Sequence, residues 1–202
     1  MSGLLTTLAE QAGTYSLIEV IAVLLATAYL LLAIRENIWC WLCAGISTAI
    51  YVYLFINAKL YMESALNAYY FVMAIYGWSL WSSRRADSEH MPVVVWRAKW
   101  HAVAIAVILM ISAVSGYLMQ HFTDAVYPYV DSLTTWGAIW ATFLVARKVL
   151  ENWWYWLAVD FVSIFLFWSN HLELTAMLFA AYVIMIPFGL ISWTRSWRAQ
   201  SA

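Results

Sequence analysis

Charge is scarce in this sequence: Asp, Glu, Lys and Arg make up 10% of 202 residues, against 65% hydrophobic ones. A soluble domain carries about a quarter charged residues, so this composition excludes an ordinary water-facing surface. Ten Lys and Arg are set against eleven Asp and Glu without a basic patch, which argues against nucleic acid as a partner. Cysteine is nearly absent. Cys40 and Cys43 lie in an apolar run with no second pair at metal-site spacing, so packing is expected of them rather than redox or zinc chemistry. The four histidines, His90, His101, His121 and His171, are scattered, with no His-x-x-x-His pair, and no metal or cofactor is expected. Also missing are an ATP-binding loop, a paired acid relay and a Ser-His-Asp set, so neither ATP coupling nor hydrolytic chemistry is expected. The N-terminus lacks a basic region and a small-residue cleavage site, and no cleavable signal peptide is expected.

What the chain does have is apolar length. Seven segments can be marked, Tyr15–Ile34, Ile38–Ile56, Met62–Trp81, Trp100–Met119, Ser132–Ala146, Trp153–Asn170 and Leu174–Trp193. Most approach the ~20 residues that a bilayer-spanning helix needs, and the fifth does so if Asp131 and Arg147 sit at the interfaces. The expected fold is all-α integral membrane, with seven transmembrane helices joined mostly by short connections. Arg35, Arg84, Arg85, Arg97, Lys99, Arg147, Lys148, Arg195 and Arg198 then fall on one side. The other side holds Lys59 with Glu10, Glu63, Asp124, Asp131 and Glu173. The positive-inside rule makes the basic side cytoplasmic, with the N-terminus outside and the C-terminus inside.

An internal echo supports the count. A shift of 115 residues lays Ala26-Thr27 on Ala141-Thr142, Glu36-Asn37 on Glu151-Asn152, Trp39 on Trp154, Trp41 on Trp156 and Tyr53 on Trp168. Further on, a shift of 112 pairs Leu60 with Leu172, Tyr70 with Tyr182, Gly77 with Gly189 and Trp81 with Trp193. The expected domains are a first three-helix repeat over 15–81, a linking helix over 100–119 and a second three-helix repeat over 132–193. Two three-helix units in the same orientation need one extra crossing between them, which the fourth helix supplies. Parallel repeats of this 3+1+3 kind are a transporter architecture, SWEET-like in type.

The stretch Glu151 to Asp160 puts a carboxylate in the middle of an apolar segment. At 3.6 residues per turn, Trp153, Trp156, Asp160, Ser163, Phe167 and Asn170 share one stripe, opposite Leu157, Phe161, Ile164 and Leu166. An acid at membrane depth is either a counter-charge for a cationic substrate or a structural acid bonded to hydroxyls between helices. The 115-residue register gives it Gly45 as a repeat mate. Candidate partners in a substrate site are Trp136 and Trp140, one turn apart, with Tyr182 and its mate Tyr70. Rings around an acid hold a planar cation by stacking and cation–π attraction. Asn152, Asn67 and Gln120 could bond hydroxyl or amide groups, and each of these aromatic and amide residues could equally be belt, packing or helix-end groups. Pro187, ahead of Gly189, could kink the seventh helix.

The run Arg147-Lys148-Val149-Leu150-Glu151-Asn152-Trp153, then Trp156 and Asp160, resembles a hallmark of the PnuC family of bacterial vitamin transporters. Tyr76-Gly77-Trp78 followed by Trp81 resembles a second hallmark, and Asp131-Ser132 and Leu60-Tyr61 also fit. The resemblance spans about Glu19 to Trp193. It implies a SWEET-like fold, a homotrimer in the bacterial inner membrane, and facilitated diffusion without an ATPase. It also implies a substrate that is nicotinamide riboside in one branch and thiamine in another, trapped by a cytoplasmic vitamin kinase. The chain has Ala74 and Phe188 where nicotinamide riboside members are expected to carry asparagines, and Asp160 where they can carry another. The function expected is a uniporter for a cationic aromatic water-soluble vitamin, nicotinamide riboside first, with thiamine as the alternative and sugar transport a weaker variant. An intramembrane enzyme lacks its catalytic set, and a purely structural subunit has no use for a lone mid-helix acid.

Overall fold

Ser16 opens the first helix with a capping box: its side chain accepts from the backbone of Glu19, whose carboxylate returns a bond to the Ser16 backbone. From there the computed structural model describes residues 16–57, 61–83, 91–170 and 172–200. The placements expected for Glu10, Lys59, Leu60, Arg84, Arg85, His90 and His171 lie outside the described residues. The helices are α1 (Leu17–Ile34), α2 (Trp39–Asn57), α3 (Tyr61–Ser83), α4 (Ala98–Phe122), α5 (Pro128–Ala146), α6 (Asn152–Ser169) and α7 (Glu173–Gln200). Each overlaps one of the seven apolar segments. Among the described residues there is no strand, and a single bridge ties Val94 to Val149.

Helices α1, α2, α4 and the Thr175–Gln200 part of α7 are long and apolar enough to cross a bilayer. Helices α3, α5 and α6 are of similar length but carry the hydroxyl, amide and carboxyl groups that turn inward. On α6 the buried residues are Asn152, Trp153, Asp160 and Ser163, while Phe161 and Phe165 stand exposed on the outside. Leu24, Ile75, Val103 and Ile184 are likewise exposed. In water this would be a large apolar surface, and in a bilayer it is the solvent-compatible one.

Helix α2 packs between α1 and α3, and α6 between α5 and α7. The two groups meet where α3 touches α5 and where α7 touches α1, while α4 packs on α5. The buried face of α5 explains its central place. Ser132, Thr134, Gly137, Ala138, Ala141, Thr142 and Ala146 are small enough to let three neighbours come close. In a membrane, where apolar side chains gain little by leaving lipid for protein, such close backbone approach is what drives helix pairing.

Local geometry repeats at one spacing. Arg35 and Arg147 end α1 and α5, and the next residues, Glu36 and Lys148, hold φ 54° and 52°. Asn37 N–H donates to Leu32 O as Val149 N–H donates to Leu144 O, each at 2.9 Å. Trp41 crosses Trp81 and Trp153 crosses Trp193, both at 5.5 Å between ring centroids and 87°. All of these are 112 residues apart. The 115-residue register expected for the first part is therefore corrected: Trp41 corresponds to Trp153, Cys40 to Asn152 and Thr48 to Asp160. The Glu-Asn-x-Trp likeness misled because tryptophans are dense here, whereas the left-handed turn after the first helix of each group leaves no choice of register.

Both turns lie at the end of the bundle where the basic residues gather. Val94 exchanges bonds of 3.0 and 2.8 Å with Lys148 O and Leu150 N–H, and Gln200 at the tip of α7 accepts from Val93 N–H. Arg35, Arg97, Lys99, Arg147, Lys148, Arg195 and Arg198 thus share one end. Glu63 and Asp131 approach each other at the opposite end.

Candidate functional site

Asp160 follows Asn152 by just over two helical turns, so both face inward from α6. It is 4% exposed, and Ser163, one turn further, is equally buried. Tyr70 from α3 and Tyr182 from α7 each come close enough to interact with the Asp160 charge. Thr27 from α1 lies beside the Tyr182 hydroxyl. Tyr29, half a turn on, packs its ring 6.0 Å from Trp41 and neighbours Tyr70. Among the described residues Asp160 has no hydrogen bond or ion pair. A buried carboxylate without a protein partner is costly unless something else compensates it. Four helices therefore converge on one acid, with phenol and hydroxyl groups around it.

The other residues singled out in the sequence fall elsewhere. Trp153 is 2% exposed and lies flat against Gly189, where an added Cβ would come within 2.3 Å of its ring. Its edge-on neighbour is Trp193, and its indole N–H has no partner among the described residues. Trp41 is seated in the same way against Gly77. Only glycine allows this approach, which is why the tryptophan and glycine positions go together in both groups. Trp156 is half-buried at the rim of the same cluster. Asn152 is fully buried; its Nδ2 donates to Val149 O at 2.7 Å, and Oδ1 is unpaired among the described residues.

Trp136 and Trp140, expected to ring the acid, are turned toward α4 instead. The Trp136 indole donates to Ser115 at 3.1 Å, and Trp140 stacks on Phe143 and edges on Trp96. Their inward neighbours on α5 are the small residues, so the large rings take the face that α4 covers. Asn67 spends its Nδ2 on Glu63 O, one turn back in α3. The structure thus brings Asp160, Ser163, Tyr70 and Tyr182 together, sets Asn152 and Trp153 two turns toward the basic end, turns Trp136 and Trp140 away toward α4, and leaves Asn67 one turn from Tyr70 on α3 with its amide bonded to its own helix. Thr27 and Tyr29 were missed by the sequence reading. The signal available was slight: two hydroxyls in an otherwise aliphatic helix.

Near the basic end a second polar group joins α4 to α6. His101 Nδ1 lies 3.0 Å from the Tyr155 hydroxyl, its Nε2 3.8 Å from Glu151, and Glu151 also accepts from Trp96 N–H. Among the described residues no cluster of three His, Cys, Asp or Glu is placed to hold a metal ion.

The profile of the family described as the nicotinamide mononucleotide transporter matches residues 16–195. The nicotinamide riboside transporter PnuC of Escherichia coli (strain K12) is 25% identical over 183 residues, covering 77% of this chain and 77% of its own. The riboflavin/roseoflavin transporter RibM of Streptomyces davaonensis is 23% identical over 178 residues, covering 87% and 83%. A crystal structure of the vitamin B3 transporter PnuC shares the fold, with a TM-score of 0.72 over 97% of this chain and 90% of that one at 21% identity. With seven helices in this order and a match over nearly their whole length, the chain is a multi-pass membrane protein that belongs to the nicotinamide mononucleotide transporter family, the PnuC vitamin transporters.

Proposed function

We propose that this chain is an inner-membrane uniporter for a cationic, aromatic, water-soluble vitamin, with nicotinamide riboside the first candidate and thiamine the second. The observation that carries the reading is Asp160: a buried carboxylate on the inward face of α6, without a partner among the described residues and flanked by Tyr70 and Tyr182. The pyridinium of nicotinamide riboside and the thiazolium of thiamine are planar cations. Either can place its positive ring against the carboxylate while tyrosine rings take its faces. A neutral flavin gains nothing from that charge, so the riboflavin/roseoflavin relative ranks third as a guide to substrate. The residues proposed to touch the vitamin are Asp160, Ser163, Tyr70 and Tyr182, joined by Thr27.

The three-helix groups over 15–81 and 132–193, linked through 100–119, are read as a parallel SWEET-like repeat, which the recurring geometry at 112 residues supports. The gathered basic residues support a cytoplasmic C-terminus. A cytoplasmic kinase that phosphorylates the vitamin would trap it, and the family's likeness suggests a homotrimer. Calorimetry on purified protein with nicotinamide riboside, thiamine and riboflavin tests the substrate class, and Asp160→Asn tests the contact. Losing one desolvated cation–carboxylate contact should cost about 2–4 kcal/mol, tens to hundreds of fold in affinity. Protein yield should hold, because a neutral amide replaces a buried charge. Unchanged affinity in the variant removes Asp160 from the site.

A further inference from the structure

At the basic end of the bundle, groups outside the proposed binding site link the two three-helix groups. Glu36 and Lys148 stand at corresponding turns and face each other across the two three-helix groups, Lys148 Nζ to Glu36 Oε2 at 2.7 Å. Their side chains are 15% and 4% exposed, so this is a shielded pair. The Lys148 ammonium also lies over the Trp81 ring, 4.7 Å from its centroid. Next to the pair, four indoles form a row across the same boundary: Trp41, Trp81, Trp193 and Trp153, at successive centroid distances of 5.5, 6.4 and 5.5 Å. Each inner ring reaches over the boundary, Trp81 Nε1 donating to Ala146 O at 3.1 Å and Trp193 Nε1 to Ala33 O at 2.9 Å.

These links have the character of a joint that parts. A shielded ion pair contributes little net stability, because water recovers both charges when it opens, yet it fixes one arrangement closely. Glu36 and Lys148 both hold left-handed backbone at φ 54° and 52°, each fixed by the turn bonds of its own group, so the two side chains are presented to each other from matching, stiff turns. Position completes the argument. Lys148 is followed after three residues by Asn152, where α6 begins, and that helix runs on to Asp160. Movement of the turn is therefore passed along a rigid helix to the acid.

We propose that the Glu36–Lys148 pair and the Trp81–Trp193 contact are the gate on the basic side of the site, closed in this structure and parting to let substrate leave there. The proposal rests on the transport reading but is tested without substrate. Cys40, fully buried at the place corresponding to Asn152, reports whether the gate is shut. In a Cys43→Ser background, a charged methanethiosulfonate should modify Cys40 slowly. Glu36→Gln, which removes one charge of the pair, should raise that rate by about tenfold or more as the open population grows. The exchange Glu36→Lys with Lys148→Glu should restore protection, since both positions share one backbone conformation; this double variant also guards against Glu36→Gln merely unfolding the chain. An unchanged rate in Glu36→Gln overturns the gate, as does a double variant as reactive as the single one. In a second measurement, Glu36→Cys with Lys148→Cys, made in a Cys40→Ser/Cys43→Ser background, is bridged through two disulfides by a bis-methanethiosulfonate. Uptake should stop and return on reduction, while vitamin binding persists. Uptake that continues through the bridged protein also overturns it. A Cys40 rate that responds as described in a protein that binds no vitamin leaves the gate standing and sinks the transport reading instead.

Discussion

Trp81 and Trp193 stand 112 residues apart in the chain and meet ring to ring, their centroids 6.4 Å apart at 58°. Each donates its indole N–H to a backbone carbonyl of the other three-helix group, Trp81 to Ala146 and Trp193 to Ala33. Both carbonyls sit in the last turn of a helix, where intrahelical donors run out. Ala146 O receives the Trp81 indole, while Ala33 O, already bonded by Glu36 N–H at 3.0 Å, takes Trp193 as a second donor.

Trp81→Phe should therefore cost more than Trp193→Phe. Trp81→Phe leaves the Ala146 carbonyl without its indole donor, at about 1–3 kcal/mol, whereas Ala33 O keeps its bond from Glu36 N–H, so Trp193→Phe should cost about 0.5–1.5 kcal/mol. Thermal unfolding in detergent, followed by intrinsic fluorescence, measures both. A larger loss for Trp193→Phe would show that the Glu36 bond does not relieve Ala33.

Trp136→Phe separates packing from binding. It removes the bond to Ser115 on α4, at a cost of about 0.5–1.5 kcal/mol, and should leave vitamin affinity where it was. Calorimetry showing a tenfold loss would return Trp136 to the substrate site, where the sequence alone had put it.

Orientation is open to labelling. Arg147→Cys lies at the basic end and Ala125→Cys in the connection at the other. In a Cys40→Ser/Cys43→Ser background, an impermeant thiol reagent added to intact cells should reach Ala125→Cys and spare Arg147→Cys. The opposite pattern reverses the topology.

Uptake by proteoliposomes should plateau at equal concentration on both sides and ignore an imposed proton gradient. Among the described residues Asp160 pairs with no second acid; Glu63 reaches Tyr70 but not Asp160, so no paired relay is in place. Accumulation well above the outside level would mean ion coupling, with Asp160 the first residue to vary.

Much of this molecule was readable in the sequence. Apolar runs of bilayer length, broken by charge, determine seven helices, because a backbone in lipid must satisfy its own hydrogen bonds. Helical periodicity likewise puts Asn152, Trp153, Asp160 and Ser163 on one face of α6, since side-chain direction within a helix follows from spacing alone. Which neighbour that face meets is a different matter. Trp136 and Trp140 share a face as expected, but only packing decided that the face belongs to α4, because small residues on the other side of α5 admit closer partners. Residue matching found the 112-residue register for α3 and α7 but gave 115 over the helices before them. The register there is set by two left-handed turns at Glu36 and Lys148, and a chain with 14 tryptophans offers false echoes that only backbone geometry removes. The Glu36–Lys148 pair and the indole–carbonyl bonds from Trp81 and Trp193 join residues more than 60 apart, so they exist only once the two groups have met.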